Sequence, residues 1–130
     1  MAVQVGPQPA WWPGSDLEWM VYWALTVPLK KKEGEDFTYQ AGRFGGRAEL
    51  GGIALDFLMI DGSYIGMDIQ GEHWHYGKAE QLADAIMRRE RCRQIGIDLI
   101  FIDGMDVQRN VLYYVKEALN GVDHSIAGRQ

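Results

Sequence analysis

Leu17, Met20, Val21, Ala24 and Leu25 recur at intervals of three and four, the apolar stripe of an amphipathic helix. Ser15 stands in front of that stripe with Glu18 three residues on, which is a capping box, and Pro28 closes the helix. "FTYQ" (residues 37–40) then reads as a short strand. The period falls to two, or the run becomes continuously apolar, in "IALDFLMI" (53–60) and "YIGMDIQ" (64–70); these predict two strands joined at Asp61-Gly62, a favourable hairpin turn. Helical spacing returns at Leu82, Ile86, Arg89 or Cys92, and Ile95, predicting a helix over 78–95 stopped by Gly96. "IDLIFI" (97–102) is a buried strand by its unbroken apolar run, and "DVQRNVLYYVKEALNG" is a closing helix with Gly121 beyond its end.

The predicted order is therefore α, β, β, β, α, β, α. A strand reached from a hairpin through a helix implies a mixed sheet flanked by helices, an α/β layered domain. A length of 130 residues fits one such domain, with residues 1–14 as an arm, 15–102 as the core and 103–130 as a closing helix and tail. The glycine-dense "AGRFGGRAELGG" between the first two strands reads as a loop.

Two polar features interrupt this pattern. Asp56 lies in a strand with apolar neighbours on both faces, where an ionised carboxylate needs a partner or a metal ion. Asp68 lies across the hairpin in a similar strand, and Gln70 shares its face. Two neighbouring carboxylates repel unless a cation relieves them, and a hard divalent ion such as Mg²⁺ or Mn²⁺ takes oxygen ligands. The alternative is that Asp56 bonds to a backbone amide or an arginine and Asp68 is a polar residue at a strand end. Just past Gln70, "GEHWHYG" sets Glu72, His73 and His75 around Trp74. Either histidine can exchange a proton near neutral pH, or the pair can pack around the indole.

Charge adds one qualification. The net charge of −5 argues against an extensive phosphate-binding surface, yet residues 78–93 hold five basic residues against three acidic, and Lys30, Lys31 and Lys32 form a second knot. Lys78, Arg88, Arg91 and Lys31 are the candidate phosphate contacts; the remaining basic residues are expected on a solvated face. Cys92 is the single cysteine, which excludes an internal disulfide and a cysteine-based zinc site and favours a reducing compartment. No apolar run is long enough to span a membrane and the start lacks secretory signal features, so a cytoplasmic location is expected. Trp19 and Trp23, four residues apart, are expected in the core. Trp11 and Trp12, bounded by prolines, either anchor the arm to its own domain or meet a partner.

The D…D-x-Q pattern across a hairpin, preceded by a helix carrying Glu18, resembles the PD-(D/E)XK nuclease superfamily. Within it, the ordered pieces "LDFLMI", "MDIQG", "EHWH", "RRERCRQIG" and "IDLIFI" are most similar to the very short patch repair endonucleases and their small relatives, some phage-encoded. The resemblance covers residues 15–102. It implies a restriction-endonuclease-like core and a metal-dependent endonuclease of DNA; because so small a chain has little surface for base readout, branched, mismatched or nicked duplex is the expected substrate. It further implies Asp56 and Asp68 as metal ligands, Glu18 assisting, and His75 or His73 moving a proton. Gln70 stands where the family carries a catalytic lysine, and this departure raises two alternatives. One is a catalytically inactive, nuclease-like structural or assembly protein, such as a phage-particle component, with Trp11 and Trp12 meeting another copy or a particle protein. The other is a metal-free protein-binding domain.

Overall fold

Ser15 opens the first helix as its capping box requires: its Oγ accepts from the Glu18 amide at 3.2 Å, and Glu18 Oε2 accepts from the Ser15 amide at 3.0 Å. The computed structural model describes residues 4–40, 52–71 and 79–129. Helix α1 (Asp16–Thr26) ends two residues before Pro28 and buries Val21, Trp23, Ala24 and Leu25. Strands β1 (Phe37–Tyr39), β2 (Phe57–Met59) and β3 (Ile65–Gln70) follow, then α2 (Ala79–Gln94), β4 (Asp98–Asp103), α3 (Gly104–Leu119) and a 3-10 turn (Ala127–Arg129). The predicted α, β, β, β, α, β, α order holds throughout. The predicted glycine-dense loop lies almost wholly outside the described residues.

The four strands form one mixed sheet in the order β1-β2-β3-β4. β1 and β2 pair antiparallel with Phe37 opposite Met59; β2 and β3 pair antiparallel with Phe57 opposite Met67. β3 and β4 run parallel from Ile65 opposite Asp98 to Gln70 opposite Asp103. Alternation divides the side chains between two apolar layers. Phe57, Met59, Ile65, Met67, Ile100 and Ile102 face α1 and α3. Leu58, Leu99 and Phe101, with Ile53 and Leu55, face α2 and the turn at Ala127. Full burial of such a side chain contributes roughly 1.5–3 kcal/mol, so the phenyl rings of Phe37, Phe57 and Phe101 anchor the layers.

Glycine sets the spacing on the α2 side. A Cβ at Gly66 would come within 2.8 Å of Leu55 Cδ1 and 3.2 Å of Ile97 Cγ2, so the absence of a side chain lets these packed residues approach β3. Gly96 ends α2 as expected, at a φ of +83° that a side chain would strain, while the Ile97 amide donates back to the Cys92 carbonyl at 2.9 Å.

Two elements depart from the sequence reading. The strand expected over 53–60 is only three residues long, because the Asp56 amide, which would extend the ladder, donates to a carboxylate at 2.8 Å instead. α3 begins at Gly104, and Asn110 interrupts it with φ −164° and ψ 79°. The Asn110 Oδ1 accepts from the Tyr113 amide at 3.3 Å, the bond of an N-cap, and so restarts the helix within an apolar spacing that runs through unbroken.

The two arm indoles separate. Trp12 is buried, with its ring 4.8 Å from Tyr39, 4.9 Å from Tyr22 and 5.3 Å from Trp19, and its Nε1 donates to the Ser15 carbonyl. Trp11 is 72% exposed. Trp23 lies in the core as expected, and Trp19 packs against it partly buried. Among the described residues no helix is long and apolar enough to cross a membrane.

Candidate functional site

The register of the hairpin brings its two acids together. Phe57 pairs with Met67, so one step further Asp56 comes opposite Asp68. Gly66, Asp68 and Gln70 alternate onto one face of β3, the face against which Leu55, Ile97 and Leu99 pack, so both polar residues point to the α2 side. β3 and β4 end together at Gln70 and Asp103, and a cleft opens beyond these carboxyl ends, the usual ligand position in open α/β sheets. Its volume is about 590 Å³, and its walls include Glu18, Asp56, Asp68, Gln70, Arg88 and Gln108. Gly104 lets α3 start against this rim: a Cβ there would stand 3.1 Å from the Gln70 carbonyl oxygen and 2.9 Å from Leu17 Cδ1.

Asp56, Asp68 and Gln70 are all buried. The acids serve each other's strands. Asp68 Oδ1 accepts from the Asp56 amide at 2.8 Å, and Asp56 Oδ2 accepts from the Ile69 amide at 2.9 Å. Arg88 reaches across from α2, its Nη1 at 2.5 Å from Asp68 Oδ2 and its Nη2 donating to the Ala54 carbonyl at 2.6 Å. A buried carboxylate with no partner costs several kcal/mol, and charge-assisted bonds of this kind offset that cost. The partners weighed as the alternative for Asp56, a backbone amide or an arginine, are thus both found at the pair, the amide on Asp56 and the arginine on Asp68.

Glu18 reaches the same cleft from α1 with both oxygens engaged. Oε2 closes the capping box, and Oε1 accepts from the Tyr39 hydroxyl at 3.3 Å, to which Gln40 Nε2 donates at 3.1 Å. The donor set facing the cleft is therefore carboxylate and amide oxygen, the chemistry of a hard divalent cation. Among the described residues no group of three histidine, cysteine or acidic side chains is close enough to hold a metal ion by itself.

The basic candidates divide. Arg88 lines the cleft with its guanidinium turned onto the Asp68 carboxylate. Arg91 is exposed on α2, and its neighbours are taken up locally: Arg89 Nη1 donates to the Ala127 carbonyl and Arg93 pairs with Glu90. Lys31 lies 3.9 Å from Asp61 at the turn end of the hairpin, away from the acids at its open end. His73, His75 and Lys78 lie outside the described residues. Sequence reasoning did not single out Gln108 or Tyr39 for the site. The one signal for Gln108 was Gly104 directly after the strand, which marks a helix packed tightly on the strand's end.

Cys92 stands one turn beyond Arg88 on α2, fully buried. Burial pushes its thiol up, opposed by the positive charge of Arg88 and reinforced by the negative charge of Asp68. The chain matches no known protein family, no curated protein and no solved structure.

Proposed function

We propose that the protein is a divalent-cation-dependent endonuclease of DNA with a restriction-endonuclease-like core, acting on branched, mismatched or nicked duplex. The observation that carries this reading is the convergence of Glu18, Asp56, Asp68 and Gln70 on one cleft at the carboxyl end of β3. The element order and the hairpin position of the acids support it, as does the sequence resemblance. Asp56 and Asp68 would hold the ion, which supplies charge neutralisation at phosphorus and a more acidic water.

The chain's own groups divide the remaining work. Gln70 can orient the attacking water through its amide but cannot take a proton from it. His75, or His73, is the group that can accept that proton near neutral pH. Glu18 holds the start of α1 against the cleft, and among the described residues Arg88 is the basic side chain that lines it. A chain of this size has little surface for reading a long base sequence, which favours recognition by DNA structure.

The test is a nicking assay on branched, mismatched and linear DNA with Mg²⁺ or Mn²⁺. Cleavage is expected in the wild type and its loss in Asp68→Asn, while His75→Ala lowers turnover by roughly 10²–10⁴-fold, the contribution of a general acid or base. Cleavage that survives in Asp68→Asn removes the site.

A second reading is favoured by Arg88, which already neutralises Asp68, and by glutamine at the family's lysine position. In it the chain is an inactive nuclease-like scaffold of an assembly, such as a phage particle. A silent wild type whose Gln70→Lys variant cleaves would establish this reading; silence in both leaves a protein-binding domain.

A further inference from the structure

Arg88 competes with any cation for one oxygen. Its Nη1 lies 2.5 Å from Asp68 Oδ2, whereas Asp68 Oδ1 is held by the Asp56 amide on the other side of the carboxylate. A divalent ion at Oδ2 would leave the amide bond in place but meet the guanidinium head on. Arginine does not lose its proton in proteins, so the conflict cannot be relieved by deprotonation. Movement of one partner relieves it. The Arg88 side chain is 35% exposed while that of Asp68 is 5% exposed, so the arginine is the partner with room to move, and the cleft it lines is the space open to it.

We propose that Arg88 is an internal counter-cation that a divalent ion displaces from Asp68, and that the released guanidinium then takes a phosphate oxygen of the substrate. This inference rests on the metal-dependent reading above and assigns Arg88 a role in it. The planar fork of arginine suits the exchange, since the two donors that hold Asp68 and the Ala54 carbonyl match the spacing of two phosphate oxygens. Cation and phosphate should therefore bind cooperatively: each favours the state in which Arg88 has left Asp68. Without the ion, the arginine keeps a buried charge neutral and braces the segment before β2 against β3.

The experiment is a Mn²⁺ titration of the intact chain, followed by electron paramagnetic resonance, with and without inorganic phosphate. In the wild type, phosphate should tighten Mn²⁺ binding by about 5–150-fold, the usual range for coupled sites. Arg88→Gln, which keeps a polar amide but carries no charge, should bind Mn²⁺ more tightly than the wild type by a factor in that same range and lose the phosphate effect. Arg88→Lys, which keeps the charge, should keep both the competition and the coupling. Equal or weaker Mn²⁺ binding in Arg88→Gln overturns the proposal, as does wild-type binding that ignores phosphate, a measurement that needs no variant to fold. Mn²⁺ binding that is lost in Asp68→Asn but unchanged in Arg88→Gln would remove this role and leave the metal site standing. Absence of Mn²⁺ binding in every form would remove both.

Discussion

Glu18 is both a helix cap and a wall of the cleft, and substitution can separate the two roles. Glutamine can complete a capping box as glutamate does, so Glu18→Gln should keep the thermal midpoint close to wild type, whereas Glu18→Ala should cost about 1 kcal/mol. Thermal unfolding read beside nicking activity checks this. Activity lost in the glutamine variant at unchanged stability assigns the carboxylate to the chemistry; activity that falls only with stability assigns it to the cap. At this scale Asp56 was legible as a buried acid in need of a partner, and its position opposite Asp68 followed from the hairpin. The meeting of Asp68 with Arg88 was not legible. It joins residues twenty positions apart, and it depends on how α2 crosses the sheet rather than on any spacing within a strand or helix.

Among the elements, α1 is tied to the loop before β1 by a phenol. The Tyr22 hydroxyl donates to Glu33 Oε1 at 2.8 Å, and its pKa is pushed up to about 12, chiefly by burial and then by the hydrogen bond and charge of Glu33. A folded pKa raised above the ordinary value of 10 means that the neutral phenol stabilises the fold fully below pH 10 and that this contribution is lost as pH rises through about 12. Ultraviolet titration of the phenolates should show Tyr22 ionising late, and Glu33→Gln should move it only part of the way back, because burial remains. A full return to the ordinary value would mean that Glu33 alone sets the shift. The element boundaries that could be read are those written in local chemistry: the Ser15 box, the turn at Asp61-Gly62 and the stop at Gly96. β2 was overread because a carboxylate across the hairpin takes the amide that would have continued its ladder. The Asn110 restart was missed because Val107, Val111 and Val115 keep helical spacing across it.

For the whole molecule, the sheet separates two layers, and its outer strand β4 does not face solvent alone. The Phe101 amide on that edge donates to Asp123 Oδ2 at 2.9 Å, the Ile126 amide donates to Asp103 Oδ2, and Ser125 is buried between them. Sequence reading gave residues after Gly121 no structure beyond a tail, since edge protection by single side chains leaves no periodic trace. The layered order itself was legible from alternating periods. The net charge of −5 was legible too, and under the proposed reading any affinity for DNA would have to come from local cations and fall steeply with salt. The burial of Cys92 supplies a clock for this architecture. Its sulfur lies between α2 and the sheet with its thiol pushed up, so a thiol reagent in excess can modify it only during the intervals when the layers part. Modification should be slow in the native protein and should accelerate with urea as steeply as global unfolding does. A shallower acceleration would time a different event: the lifting of α2 alone, and with it the periodic release of Arg88 from Asp68.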